Sequence, residues 1–341
     1  MNELRRDAIT GRGVIVVPGR SARPNEHAAS PSAAANDAGC PFCAGNEATT
    51  PPELAAIGPP GRMANAPGWF VRTIPNKFPT VSDQPPASEG RPTGTADRFE
   101  RAHAFGYHEV VIASPTHTPL LPFLPPEQMV RVVRMCRDRV RHLSSLAPVG
   151  SVTLFENEGP ESGGSLWHPH LQLVTVPGRT PALEEEMQGA QRFCETAGAT
   201  CAFEEVARAE LAERTRVVFA SAQFLGYAPF ASAAPYEVRI LPIRHGASLG
   251  GLADADIEPL ARDLSAVLRA LLTLLPGASY NLVARAPVGP SAETGRYHWH
   301  LDVIPRLVRP DGSDLGSGLA VNTVPPEVAA EALRTELGAK R

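Results

Sequence analysis

The chain of 341 residues contains itself twice, and that duplication constrains its fold more than any other feature. Glu109-Val-Val-Ile-Ala-Ser-Pro-Thr-His117 recurs as Glu237-Val-Arg-Ile-Leu-Pro-Ile-Arg-His245, displaced by 128 positions at both the Glu and the His. Ser151-Val-Thr-Leu matches Ser279-Tyr-Asn-Leu at the same offset of 128, and His168-Pro-His170-Leu matches His298-Trp-His300-Leu at 130. Internal repeats of this kind mark one supersecondary unit used more than once, so a single order of elements should occur in each half. Each copy reads as strand, loop with a His, helix, strand, strand. In the first, Pro125-Pro-Glu-Gln opens a helix whose Met129, Val132, Val133, Cys136, Val140 and Leu143 recur at helical spacing. In the second, Ile257, Leu260, Ala261, Leu264, Val267 and Leu271 repeat that stripe behind Asp254 and Asp256. Val152 to Phe155, Leu171 to Val176, Tyr280 to Val283 and Leu301 to Ile304 read as the paired strands. The expected class is α+β: a mixed, mainly antiparallel sheet with flanking helices, in halves 1–177 and 178–341. The Pro-, Ser- and Gly-rich stretch 79–101 reads as a surface loop, and Pro177 to about Arg214 as the bridge between copies.

Charge and composition exclude some classes of partner. A formal charge of −4 leaves no basic surplus to neutralise nucleic-acid phosphates. No apolar run reaches the roughly 18 residues of a membrane helix, and the start MNELRRDAITGRG lacks the apolar stretch of a signal peptide. The expectation is a cytoplasmic protein with no nucleic-acid or membrane partner. Five Cys, an odd number, argue against a disulfide framework and leave reduced thiols or metal ligands.

Two motifs carry chemistry. In Asn157-Glu-Gly-Pro-Glu-Ser-Gly163-Gly164-Ser165-Leu-Trp-His168-Pro-His170-Leu-Gln172, a Gly/Ser loop runs into a strand on which alternation puts His168, His170 and Gln172 on one face. Backbone N–H groups at Gly163 and Gly164, with the Ser165 hydroxyl, can hold phosphate oxygens beside an imidazole that attacks phosphorus. The plainer alternative is a pair of structural His in a buried strand. The second motif, Cys40-Pro-Phe-Cys43, is half of a tetrahedral zinc site, and His117 and His168 are available to complete it. Two free thiols in a turn are the alternative. Cys136 belongs to a core stripe, and Cys194 and Cys201 carry no assignable role. The second copy, Tyr297-His298-Trp-His300-Leu-Asp302, keeps His-x-His without the Gly/Ser loop, which leaves a second metal at His298 and His300 an open question.

Taken together, these motifs resemble the galactose-1-phosphate uridylyltransferase family, the transferase branch of the histidine-triad superfamily. The resemblance runs through Ile9-Thr-Gly-Arg12, Pro18-Gly-Arg20-Ser-Ala-Arg23-Pro, Cys40-Pro-Phe-Cys43, Pro51-Pro-Glu53, Pro75-Asn76-Lys-Phe-Pro79, Gly106-Tyr-His-Glu-Val, His117, His168-Pro-His170-x-Gln172 and Tyr297-His-Trp-His300. It implies duplicated histidine-triad-like units, a homodimer, and a double displacement in which His170 attacks the α-phosphorus of a nucleotide sugar or related nucleoside diphosphate compound. The nucleotide then passes to a sugar 1-phosphate or inorganic phosphate. The same match implies phosphate contacts for Asn157, Gly163, Ser165 and Gln172, ribose or base contact for Asn76, and acceptor contacts for Arg20 and Arg23. It also implies zinc on Cys40, Cys43, His117 and His168. Gln172 stands where the hydrolase branch carries a third His.

Departures bear on substrate. Lys77 replaces an Asp that helps bind uridine, and the tail Leu315-Gly-Ser-Gly318-Leu-Ala-Val-Asn322-Thr-Val-Pro325 lacks the Tyr-Glu pair that grips the hexose, so it is more similar to the phosphorylases of this group. The family's second metal uses a His between the two repeat strands, and none occurs from Gly246 to Tyr297, although Glu186 falls near its carboxylate ligand. The competing functions are a phosphohydrolase of the same superfamily and a non-enzymatic nucleotide-binding zinc protein.

Overall fold

The computed structural model describes residues 1–19, 39–84, 103–117, 120–289 and 295–339. Arg20, Arg23 and most of the expected loop over 79–101 lie outside them. The chain opens with strands β1 (Glu3–Arg6), β2 (Gly13–Val16), β3 (Ala55–Ile57) and β4 (Val71–Pro75). The first repeat follows as β5 (His108–Ile112), α1 (Pro126–Ser144), β6 (Ser151–Glu158) and β7 (His170–Val176). The bridge is α2 (Pro181–Ala197), α3 (Ala202–Glu213), β8 (Val217–Ala220) and β9 (Phe224–Tyr227). The second repeat is β10 (Val238–Pro242), α4 (Asp254–Leu274), β11 (Tyr280–Pro287) and β12 (Leu301–Pro305), and α5 (Gly312–Ser317), β13 (Ala320–Asn322) and α6 (Pro326–Gly338) complete the chain.

Local chemistry places the helix ends. Helix α1 begins on Pro126, whose missing N–H costs nothing in a first turn, and its predicted stripe from Met129 to Leu143 is buried throughout. Asp254 and Asp256 sit in the first turn of α4, where a carboxylate meets the positive end of the helix dipole. Thr180 caps α2 by accepting the Leu183 N–H, and Gly198 ends it in a left-handed conformation at φ 66°.

The two repeats face each other within one sheet. Its order is β3-β4-β5-β7-β6-β11-β12-β10-β9-β8, and every neighbouring pair is antiparallel. The order β5-β7-β6 of the first copy is mirrored by β11-β12-β10 of the second, joined where β6 pairs with β11 from Glu158↔Tyr280 to Ser151↔Pro287. A small second sheet, β1-β2-β13, contains a parallel pair, β2 with β13, so the architecture is mixed and mainly antiparallel.

Alternation then divides the faces. Val111, Leu154, Leu171 and Leu173 join α1 and α4 in the main apolar core. Residues on the other face of the same strands, Val110 and Ile112, pack instead with Cys40, Phe42, Trp69 and Ile74. Register sets Val110 opposite Gln172 and Ile112 opposite His170, so these two polar groups look away from α1 and α4. Gly106, just before β5, lies so close to β7 that a Cβ there would come within 2.0 Å of the Thr175 carbonyl oxygen.

A buried ion pair fastens helix to sheet in the first half. Arg139 of α1 grips Glu109 of β5 with Nε to Oε2 at 2.7 Å and a second nitrogen to Oε1 at 2.5 Å, and both residues are buried. Removing one partner strands the other charge in a dry setting, at a cost of about 3–5 kcal/mol. Arg139→Met should therefore lower the unfolding free energy by that amount, read as a lower urea midpoint at unchanged slope, while Arg139→Met with Glu109→Leu should recover most of the loss. A double variant no more stable than the single would contradict this account of the pair.

Candidate active site and metal centre

Strand β7 is entered through His168-Pro169-His170, and these three residues serve two sites at once. His168 Nε2 lies 2.8 Å from the Ser114 carbonyl, which can only accept, so the proton is on Nε2 and the Nδ1 lone pair is free. Nδ1 faces the Cys40 and Cys43 sulfurs, 3.6 Å from each. His170 Nδ1 in turn donates to the His168 carbonyl at 2.8 Å, which leaves its Nε2 as the bare nitrogen. Burial lowers the His170 pKa, so the ring is neutral at pH 7. A cavity of about 250 Å³ opens beside it, walled by Phe42, Asn76, Phe78, Ser165, His170 and Gln172. Phe42, between the two cysteines, packs on the His170 ring at 5.3 Å between centroids, so the cysteine turn supplies one wall of the cavity.

The loop before β7 departs from expectation in detail. Gly163 N–H donates to Pro160 and Gly164 N–H to Gly159, so neither is free for a phosphate in this conformation. The turn at Pro160–Ser162 closes on itself, and Gly164 is needed because a Cβ would sit 2.6 Å from the Asn157 carbonyl oxygen. Among the described residues on this side, the Ser165 hydroxyl and the Asn157 NH2 remain as donors. Asn281 of β11 donates to Asn157 Oδ1 at 2.7 Å and to the Ser162 carbonyl at 3.0 Å, and Arg306 donates to Asn281 Oδ1. The second half thereby holds the loop of the first and leaves the Asn157 NH2 unused. Asn76, expected to contact ribose or base, lines the cavity, with its amide 3.2 Å from Gln172 and 3.0 Å from His108.

Cys40, Cys43, His117 and His168 come together with ligand atoms within 4.8 Å of one another. His117 Nδ1 stands 3.8 Å from Cys43 Sγ. Two thiols and two imidazoles, with the His168 lone pair aimed inward by its hydrogen bond, fit a metal ion of borderline softness.

The second half corrects the idea of one metal site at His298 and His300. These residues face different partners. His298 joins His245 and Cys201, whereas His300 joins Glu186 and Asp302. Cys201, which carried no assignment, sits 3.9 Å from His298 Nδ1. A signal existed: His245 and His298 are the repeat counterparts of His117 and His168. The Glu186–His300–Asp302 group does not fit a cation, because Arg239 binds Asp302 at 2.8 Å and Arg285 binds Glu186 at 3.0 Å. Burial alone would push the Asp302 pKa up, but Arg239 and His300 outweigh it and hold the carboxyl well below its usual range. His300 repeats the bond of His170, its Nδ1 3.0 Å from the His298 carbonyl. It is nonetheless 1% exposed, with Phe203 of α3 packed over it at 5.2 Å.

Behind the loop, Glu156 and Glu158 are buried on β6. Burial pushes Glu158 up to about 7, and burial with the neighbouring Glu158 raises Glu156 as well. A carboxyl whose pKa is higher folded than unfolded binds more protons in the native state, so its contribution favours folding at low pH and is lost as pH rises from about 4.5 through 7. Glu158→Gln should match the parent protein closely at pH 3 and exceed its unfolding free energy by about 3 kcal/mol at pH 8. Equal stability of the two proteins at pH 8 would show that Glu158 titrates normally.

With this geometry established, comparison with known proteins places the chain among relatives. Residues 1–177 match the family model described as galactose-1-phosphate uridyl transferase, N-terminal domain. An ADP-glucose phosphorylase of Arabidopsis thaliana is 28% identical, over 97% of this chain and 92% of its own. A galactose-1-phosphate uridylyltransferase of Thermotoga maritima is 29% identical, over 98% of each. A crystal structure of an ADP-glucose phosphorylase from Arabidopsis thaliana with bound ADP-glucose superposes with a TM-score of 0.82 at 27% identity, covering 98% of this chain and 99% of that one. The chain belongs to the galactose-1-phosphate uridyl transferase family.

Proposed function

We propose that this protein is a nucleotidyltransferase. It moves a nucleoside monophosphate from a nucleotide sugar, or a related nucleoside diphosphate compound, to inorganic phosphate or a sugar 1-phosphate through a nucleotidyl-histidine at His170. The observation that carries this reading is the bond from His170 Nδ1 to the His168 carbonyl, because it leaves Nε2 as a neutral, directed nucleophile at the cavity wall. In the first step the Nε2 lone pair forms a bond to the α-phosphorus. The bond from that phosphorus to the bridging oxygen breaks, and its electron pair leaves on the sugar 1-phosphate. The proton stays on Nδ1, donated to the His168 carbonyl oxygen, throughout. In the second step an acceptor phosphate oxygen attacks and the P–N pair returns to Nε2. Gln172 can donate a hydrogen bond but cannot move a proton, which favours an acceptor already ionised over water. Ser165, Asn157 and Gln172 offer donors to the phosphates, with Arg20 and Arg23 assigned to the acceptor. The similarity to an ADP-glucose phosphorylase and the tail without a Tyr-Glu pair support phosphate as acceptor.

The cofactor we propose is zinc on Cys40, Cys43, His117 and His168. Zn–S of about 2.3 Å and Zn–N of about 2.0–2.1 Å in a tetrahedron require S···N edges of about 3.6 Å. The S···N distances of 3.6–3.8 Å support that fit. Its role here is structural, holding the cysteine turn and the entrance of β7. The end of the family match at residue 177 supports halves 1–177 and 178–341, the first bearing the chemistry. A homodimer is proposed on the resemblance, and a cytoplasmic setting on five cysteines that form no disulfide. Among the described residues no helix is long and apolar enough to cross a membrane.

Two experiments test this. Incubation with a panel of α-phosphate-labelled nucleotide sugars, without acceptor, should leave an acid-labile nucleotide on the protein, and kinetics should be ping-pong. His170→Gly should abolish adduct and turnover together, and a variant that still accumulates adduct would end the reading. Metal analysis should find zinc held by this cluster, and Cys43→Ser should lose that zinc and a substantial part of the thermal stability. Full zinc retention in Cys43→Ser would refute the ligand set.

A further inference from the structure

Gln172 faces the cavity beside His170, and an amide can present either its carbonyl or its NH2 to a ligand. Its neighbours decide which. The backbone N–H of Thr80 points at His108 Nδ1 at 3.1 Å, and a backbone N–H can only donate, so Nδ1 carries the lone pair. In a neutral imidazole the proton is then on Nε2, which stands 2.9 Å from Gln172 Oε1. Likewise Phe78 N–H donates to Asn76 Oδ1 at 2.8 Å, so the other end of that amide is a donor, 3.2 Å from the same Gln172 Oε1. The two donors lie 3.0 Å apart around one acceptor. Both Oε1 lone pairs are thereby used, and the Gln172 NH2 is left for the cavity. Burial lowers the His108 pKa, which keeps the ring in its neutral form.

We propose that His108 is a positioning residue for nucleotidyl transfer: through its Nε2 proton it fixes the Gln172 amide with NH2 toward the phosphate. This rests on the reading of His170 given above. Without His108 the amide is free to turn its carbonyl toward a phosphate oxygen, where two acceptors repel. The backbone of residues 78–80 is the origin of the orientation, because the two N–H groups at Phe78 and Thr80 set both donors.

The test is a double-mutant cycle on the rate of adduct formation in the full-length protein. Loss of the oriented, charge-assisted hydrogen bond from the Gln172 NH2 to the phosphate should slow His108→Leu by roughly ten- to a hundredfold with a smaller change in donor KM. His108→Gln, which retains an N–H at the Nε2 position, should recover most of that rate. In a Gln172→Leu background, where no amide remains to orient, His108→Leu should have no further effect. If His108→Leu does not fold, His108→Asn is read in the same way, since it can still accept from Thr80 but is too short to reach Gln172. A wild-type rate in His108→Leu, or an equal loss with and without Gln172, overturns the positioning role while leaving the His170 mechanism standing. Absence of any adduct on the wild-type protein overturns both.

Discussion

The hydrogen bond from His170 to the His168 carbonyl is the constraint on which the rest of the site depends. The same residue that accepts it turns its own ring toward two cysteine sulfurs, guided by the Ser114 carbonyl at the end of β5. Pro169 is held there too, since its carbonyl accepts the Ala113 N–H. The Cys/His group and the cavity are therefore not two features placed near each other but two sides of one strand entrance. Movement of that entrance would misalign the imidazole and open the cluster together. Phe42 strengthens the link, because the residue between the cysteines packs on both His168 and His170.

The two repeats share a frame and differ in what fills it. His170 and His300 make equivalent bonds to the carbonyl two residues earlier, yet one ring faces a cavity and the other is sealed. The difference lies in neighbours at matching positions. Gln172 of the first copy corresponds to Asp302 of the second at an offset of 130, and Asn157 to Arg285 at 128. Neutral amides leave donors unspent, whereas Asp302 satisfies Arg239 and Arg285 satisfies Glu186. Helices α2 and α3 then cover the ion cluster with Glu186 and Phe203. Burial without a ligand is possible there because the charges answer one another.

The halves also cooperate across their seam. Pairing of β6 with β11 brings Asn281 to Asn157 and the Ser162 carbonyl, so the Gly/Ser loop of the first copy is held by an amide of the second. The Arg309 salt bridge to Glu161 extends that contact at the surface. The family match ends at residue 177, while the large sheet runs through both repeats without a break.

Much of this was legible in the residues alone. The repeat offsets, the stripes of α1 and α4 and the His-x-His strand are local periodicities, and local periodicity follows from backbone geometry that every chain shares. The same arithmetic held the Cys201 group in reserve, since His245 and His298 match His117 and His168, but a lone cysteine 44 positions away gave no spacing to read. What only the tertiary structure decided was which hydrogen-bonding capacity remains unused. Gly163 and Gly164 read as phosphate donors, and the fold closes their N–H groups on the loop itself. His108 read as part of a motif, and its tautomer depends on a backbone N–H delivered by a different strand connection. Sequence determines which groups a chain carries and how they alternate along each element. Their satisfaction depends on partners brought from distant positions, and so it is settled only when the chain has packed.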